Sequence, residues 1–366
     1  MKNLNNMPAV NLSLQTNSFV AEEMTKVREC FEKQLHDNLL VDGLTLHIEA
    51  QLHALITEMI GQLGIFRGKM LRPTLVLLCG RACGPLNHQH HVIAAVIEMV
   101  HLATLVHDDV LDEAESRRGG VTLNSLHGNE AAVILGDLMF SHVFQLCSSL
   151  DSQTFGRLIS STTNAVCGGE LWQLYNRGNY ELTEQSYLDI ITCKTASLMS
   201  LCCHLGAAAA GMPEDACRLF NSFGLNLGIA YQIMDDVTDL VGDEDSAGKT
   251  LGTDLVLEKI TLPCIHFLQN ASPDDKKWWH DMAKSDTHLT AQQPRKHQEI
   301  LQKLRQTGSL DYARHRAAEH IEKAGQNLTE ARHAVSSEVG RLDDNEAESR
   351  QGVWERLSEL TARVIA

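Results

Sequence analysis

The sequence predicts an all-α fold, and three observations carry that prediction. Helix formers dominate the 366 residues, while aromatics make up only 5% and prolines number seven. Apolar residues recur at helical spacing, and alternating β-branched runs are scarce. The apolar fraction of 43% is ordinary for a globular protein and supplies a core. We therefore expect one helical domain over residues 19–366, preceded by a flexible, Asn-rich segment over residues 1–18.

Taken in order, residues 20–39 form an amphipathic helix with Val27, Cys30, Phe31 and Leu35 on its apolar face. Residues 46–63 form a second. Gly68 then permits a turn, and Pro73 suits the first turn of a helix over 74–83. Lys69 and Arg72 fall near that helix start, where backbone N–H groups also favour an anion. Residues 84–91, with His88, His90 and His91, are expected to be an exposed loop. Helices are expected over 92–113, 130–150, 155–172, 183–210 and 215–241. A polar helical hairpin covers 271–298, and terminal helices cover 300–307, 310–328 and 348–364, with an acidic spacer over 335–347.

The formal net charge of −16 argues against nucleic acid and against a cationic membrane-binding face. It does not exclude an anionic substrate, because local cations decide a site. Ten cysteines without a CxxC pair match a reducing compartment, and we expect a cytoplasmic protein. The N-terminus has no basic region and no long apolar run, so neither a signal peptide nor a transmembrane helix is expected.

The chain is organised around two acidic clusters. Asp108, Asp109 and Asp112 stand at i, i+1 and i+4 among Leu102, Leu105, Val106, Val110 and Leu111. On a helix, Asp108 and Asp112 stack one turn apart on one face. Carboxylates crowded on an apolar helix repel one another unless cations neutralise them, and hard oxygen donors suit Mg²⁺. Asp235, Asp236 and Asp239 repeat the spacing on a later apolar helix. Two such clusters facing each other could hold a diphosphate through several Mg²⁺ ions. Arg117 and Arg118 can bind diphosphate oxygens bidentately. His101 lies two turns before Asp108 on the same face, and Lys194, beside Thr195 in an apolar run, calls for an anionic partner. Lys249 and Lys259, in or near a Gly-containing loop, suit a closing lid.

These residues resemble the trans-isoprenyl diphosphate synthases, the polyprenyl synthetases of long-chain type, from about Gly68 to Pro263. Six motifs occur in that family's order: GKxxRP, HDDxxDxxxxRRG, Gly136-Asp137, Lys194-Thr195-Ala196, Tyr231 to Asp239, and GKxxGxDLxxxKxTLP. The resemblance implies a helical bundle of the isoprenoid-synthase type around a large central cavity, usually a homodimer. It implies that Asp108, Asp112, Asp235 and Asp239 ligate Mg²⁺, about three ions with a diphosphate bound, and that Asp109 and Asp236 support the clusters. Lys69, Arg72, His101 and Arg118 resemble the isopentenyl diphosphate site. Arg117, Lys194, Lys249 and Lys259 resemble the ligands of an allylic diphosphate such as farnesyl diphosphate, with Thr195, Gln173 and Gln232 beside them. Three residues depart from the pattern: Met70 where a basic residue is common, Tyr231 for a frequent Phe, and Glu258 where Gly often precedes the lysine.

The expected reaction ionises an allylic diphosphate, adds isopentenyl diphosphate to the cation and loses a proton. Cations stabilise the departing diphosphate and a dry apolar wall protects the carbocation. Product length depends on the wall below Asp108. Ala103 and Thr104, small residues one turn below, leave it open, which points to a product of about C30 to C40, each unit adding roughly a helical turn. Shorter products of about C15–C20 are the alternative on the same geometry. A terpene cyclase would need no second diphosphate site, a non-catalytic partner subunit should lack an Asp cluster or the arginines, and an acidic scaffold leaves Arg72 and Lys194 unexplained.

Overall fold

The computed structural model describes residues 18–37, 49–63, 69–117, 120–150, 152–241, 252–284, 294–338 and 344–365. Helices α1 (Ser18–Asp37), α2 (Glu49–Gln62), α3 (Leu71–Cys83) and α4 (His88–Leu111) lead to a short ribbon. In it, β1 (Ser116–Arg117) pairs antiparallel with β2 (Gly120–Val121). Next come α5 (Leu123–His127), α6 (Asn129–Ser148), α7 (Gln153–Tyr175), α8 (Glu184–Ile191), α9 (Ser197–Ala209) and α10 (Glu214–Val241). The chain ends with α11 (Thr253–Val256), α12 (Leu262–Asn270), α13 (Pro273–Lys284), α14 (Pro294–Gln306), α15 (Ser309–Glu338) and α16 (Asp344–Arg363).

The long α10 packs between α9 and α15, α3 lies across α9, and α4 lies on α3 and α6. One apolar core runs from Val20 to Val364. Burying each of its large aliphatic side chains contributes about 1.5–3 kcal/mol. The Ala- and Gly-rich stretch of α9 is explained by backbone contact. A Cβ at Gly206 would lie 2.5 Å from Val76 O, so only glycine lets α3 approach this closely.

Several sequence expectations shift. The histidine loop is the first turn of α4. Asn87 caps it, its side chain accepting from His90 N at 3.3 Å, while His90 Nε2 lies 3.2 Å from Gly206 O and His91 Nε2 2.5 Å from Glu23 Oε2. Asn is as strong a cap as Ser or Asp, and it starts the helix early. α15 runs ten residues past Leu328, because Ala331 and Val335 continue its buried stripe. The expected 183–210 helix divides into α8 and α9 at a π-helical turn, Thr192–Ala196. The ribbon and α5 are too short for periodicity to reveal. Residues 1–17, part of the expected flexible segment, lie outside the described residues.

Three helical stretches are long and apolar enough to cross a membrane by length and composition. His88–Leu111 and Glu184–Ala209 are each 78% buried inside the bundle, so their apolarity serves packing. Asn129–Ser148 is only 39% buried. All ten cysteines are free thiols, six of them buried.

Candidate active site

The first cluster ends α4. Asp112 is its C-cap, its backbone N–H donating to Asp108 O at 2.8 Å, so the two carboxylates follow each other along the last turn. The helix is held in place by His107. A Cβ at Gly136 would lie 2.2 Å from His107 Nε2, so glycine there lets the imidazole lie against α6. His107 Nε2 lies 3.1 Å from Val133 O and 3.7 Å from Asp137 Oδ1, and the ring tilts against Phe140 at 6.0 Å. The glycine and aspartate of the Gly136-Asp137 motif are thus partners of the histidine that precedes the first cluster.

The three aspartates differ. Asp109 is buried and accepts from Arg117 Nε at 2.5 Å, which fixes the arginine of β1. Asp112 accepts twice, from Arg177 Nη2 at 2.6 Å and from Lys259 Nζ at 2.8 Å. Asp108 faces Lys194, Glu170, Asp112 and Arg117; burial raises its carboxyl to about 6, with Glu170 and Asp112 adding to the rise against the pull of the cations. Burial alone would lower the Lys194 pKa, but Asp108 and Glu170 hold it above its ordinary value. Lys194 pairs with Glu170 and donates to Gln173 Oε1 at 2.8 Å. The α7 helix reaches Tyr175, three residues beyond its expected end, and so places Glu170 and Gln173 on one face.

Lys194 and Thr195 sit in the π-helical turn, a feature that recurs at functional sites. A Cβ at Gly169 would lie 2.7 Å from Lys194 N, so that glycine admits the bulge. Thr195 Oγ1 donates to Gln232 Oε1 at 2.7 Å, and Gln232 Nε2 donates to Asp236 Oδ1 at 2.7 Å. Tyr187 Oη donates to the other oxygen of Asp236 at 2.6 Å. Asp236 is buried, and its carboxyl is pushed up to about 7: burial, Asp235 and Asp239 outweigh the two donated hydrogen bonds. Tyr187, Glu170 and Arg177 went unassigned by the motifs. Glu170 had a signal in its spacing to Gln173; the other two reach their partners across the fold.

Asp239, expected among the metal ligands, is engaged with the protein itself. It is 1% exposed, and its oxygens accept from Thr253 Oγ1 at 3.0 Å and Asp254 N at 3.2 Å. It caps α11 and so ties down the segment leading to Lys259. The partly exposed member of the second cluster is Asp235. Glu258 meets the requirement its glycine-like position implies: its φ is 54°, the left-handed turn that aims Lys259 at Asp112.

Lys69 and Arg72 flank the start of α3, which packs on α4 with His101. Arg72 Nε is buried without a hydrogen-bond partner, as suits a residue awaiting an anion. Arg118 and Lys249 lie outside the described residues. Of the expected tunnel pair, Ala103 is 0% exposed and Thr104 is partly exposed, its hydroxyl donating to His101 O at 2.8 Å.

Among the described residues no three His, Cys, Asp or Glu side chains form a ready metal cage. Mg²⁺ takes one or two protein carboxylates and completes its shell with water and substrate phosphate. The donor chemistry of Asp108, Asp112 and Asp235 suits it.

Comparison with known proteins gives a match to the polyprenyl synthetase family over residues 53–303. The chain is 34% identical over 286 residues to octaprenyl diphosphate synthase of Escherichia coli K12, covering 77% of this chain and 87% of that one. It is 38% identical over 264 residues to a geranyl-diphosphate-specific all-trans-nonaprenyl-diphosphate synthase of Rhodobacter capsulatus, covering 71% and 78%. A polyprenyl synthase from Caulobacter crescentus CB15, solved with calcium and isoprenyl diphosphate, superposes with a TM-score of 0.78 at 26% identity over 98% of each chain. With the family match spanning more than half of its length, and with Lys194 and Lys259 set against the first aspartate cluster, the chain belongs to the polyprenyl synthetase family and is a prenyltransferase of the trans-isoprenyl diphosphate synthase kind.

Proposed function

We propose that the protein elongates an allylic diphosphate such as farnesyl diphosphate with isopentenyl diphosphate to an all-trans product of about C30 to C40, each unit adding roughly a helical turn. The observation that carries this reading is the π-helical turn: Lys194 reaches the first cluster and Thr195, through Gln232, the second. One short segment thus registers both acidic ends of the site.

Asp108, Asp112 and Asp235 are the residues that would hold Mg²⁺, which supplies Lewis-acid stabilisation of the leaving diphosphate when bound. Lys194, Arg117 and Lys259 add positive charge where negative charge develops. The allylic C–O bond breaks, and its electron pair leaves with the diphosphate. The isopentenyl double bond then forms the new C–C bond at the allylic carbon. The resulting cation loses a proton to the released diphosphate, so no protein base is required. Arg72, with its unpaired buried Nε, and Lys69 anchor the second diphosphate.

Thr104 supports the long product, because a small, partly exposed residue leaves the wall open one turn below Asp108. The outward face of α6 carries Ile134 at 67% and Phe144 at 65% exposure, which favours a homodimer on that face. The test is incubation with Mg²⁺, farnesyl diphosphate and labelled isopentenyl diphosphate, followed by sizing of the dephosphorylated products. A ladder reaching about C30 or more supports the whole reading, while a stop near C20 keeps the chemistry and raises the floor by about two turns. No elongation by folded, metal-loaded protein transfers the assignment to a partner subunit.

A further inference from the structure

The turn between α7 and α8 carries a cation that the motifs do not include. Arg177 follows Asn176, the C-cap of α7, and precedes Gly178, whose φ of 69° reverses the chain. Gly178 N donates to Glu258 O at 2.9 Å, so this turn is joined to the segment that delivers Lys259. The two segments place their cations on opposite oxygens of one carboxylate, Arg177 at 2.6 Å from Asp112 Oδ1 and Lys259 at 2.8 Å from Asp112 Oδ2. Asp112 caps the C-terminal end of α4, where the helix dipole disfavours an anion, and its side chain is only 17% exposed. Asp108 and Glu170 add negative charge nearby. A carboxylate so placed needs compensation when no metal is present, and a guanidinium supplies it without losing its own charge.

We propose that Arg177 is a built-in counter-ion of Asp112, a positioning residue that holds this carboxylate in the metal-free enzyme and yields it to the divalent cation. The proposal rests on the reading of Asp112 as a metal ligand. Arg177 and the metal cannot share the carboxylate without repulsion, so the arginine weakens metal binding in the absence of substrate. Its Nε is already buried without a partner, and a bound diphosphate gives the displaced guanidinium a new anion. Metal and diphosphate therefore bind with positive coupling, and Arg177 is a source of that coupling.

The experiment titrates Mn²⁺, followed by electron paramagnetic resonance, into wild type, Arg177→Gln and Arg177→Lys, with and without inorganic diphosphate. Thermal melts are recorded in each state. In Arg177→Gln, Mn²⁺ alone should bind about tenfold more tightly, and the gain from added diphosphate should shrink by about the same factor. Arg177→Lys should stay within about threefold of wild type, since it keeps the charge and loses only the fork. The Arg177→Gln melt should be lowered without metal and restored to the wild-type value by Mn²⁺. Unchanged or weaker Mn²⁺ binding by Arg177→Gln overturns the proposal, as does a melting deficit, or failure to fold, that persists with Mn²⁺, which marks a purely structural arginine. Wild type that binds no Mn²⁺ even with diphosphate defeats the metal-ligand reading, and the proposal with it.

Discussion

Tyr187→Phe isolates one bond of the second cluster. The phenol is 3% exposed and donates to Asp236 at 2.6 Å, while Gln232 donates to the other carboxylate oxygen at 2.7 Å. Phe keeps the ring and its packing, so the change removes a single hydrogen bond to a charged acceptor, worth about 1.5–3 kcal/mol. For a chain of this size, 2 kcal/mol corresponds to about 3 °C in melting temperature. The Asp236 carboxyl, already raised to about 7 by burial, loses a bond that favours its ionised form and moves higher still. At neutral pH the variant therefore holds less negative charge beside Asp235. We expect kcat/KM to fall about 10–100-fold at pH 7, the usual cost of removing an outer-shell partner. Raising the pH toward about 9 should recover part of the loss as Asp236 ionises. Elongation rates at saturating Mg²⁺ across that range, with melts alongside, give both numbers. Gln232→Leu shares the same acceptor, so the double variant should be non-additive. Activity within about twofold of wild type at pH 7, with an unshifted pH profile, would refute the claim that Tyr187 sets the charge of the second cluster.

Thr104→Phe should shorten the product to about C15–C20, a block about one turn below Asp108, whereas Ala103→Phe, at a fully buried position, should cost about 1–3 kcal/mol of stability by overpacking; product sizing and melts separate the two. Glu258→Gly relieves a left-handed backbone at φ 54° and should stabilise the protein by about 1 kcal/mol, so a melt lowered by the change would show that the Glu258 side chain contributes more than its backbone costs. Asp108 has a folded-state carboxyl near 6, above its ordinary 3.8, so it binds its proton more tightly in the folded metal-free protein. Its contribution to stability therefore improves as pH falls through about 6 and is complete below about 4, while Mg²⁺, which needs the ionised form, binds more weakly there. The rise in melting temperature caused by Mg²⁺ should shrink between about pH 7 and 5, and a constant rise would contradict the role given to Asp108.

The parts of the site that were legible in the sequence are those with a local period. Asp108 with Asp112, and Asp235 with Asp239, declare themselves by a helical turn, and Lys194 by its charge inside an apolar run. What they touch was not legible. Tyr187 is 49 residues from Asp236, Arg177 is 65 from Asp112 and Lys259 is 147 from it. No spacing rule spans such separations; only the packing of α8 on α10 and the approach of two turns bring them together. The same limit hid the π-helical turn. Its residues are helix-compatible, and only the close approach of Gly169 on one side and Gly228 on the other betrays it: a Cβ at position 228 would lie 2.6 Å from Ala196 Cα. Asp239 shows the converse case. Its spacing matches Asp112, yet it is buried, and its oxygens accept from the Thr253 hydroxyl and the Asp254 N–H at the start of α11.

These contacts change how the clusters work electrostatically. Burial of several carboxylates is costly without partners, yet the described site balances itself through Arg117 on Asp109, Arg177 and Lys259 on Asp112, and Lys194 beside Asp108. Each of these carboxylates thus has a cation of the protein's own, and on the proposal above a divalent ion competes with Arg177 for Asp112. On the same proposal diphosphate changes that balance, because it gives a displaced cation a new partner of the same sign as the carboxylates. On that proposal, metal and diphosphate bind with positive coupling. The cations of the site are therefore more than candidate substrate ligands: Arg117, Arg177, Lys259 and Lys194 each stand against an acid of the first cluster, and on the proposed function cations of this set face the leaving diphosphate.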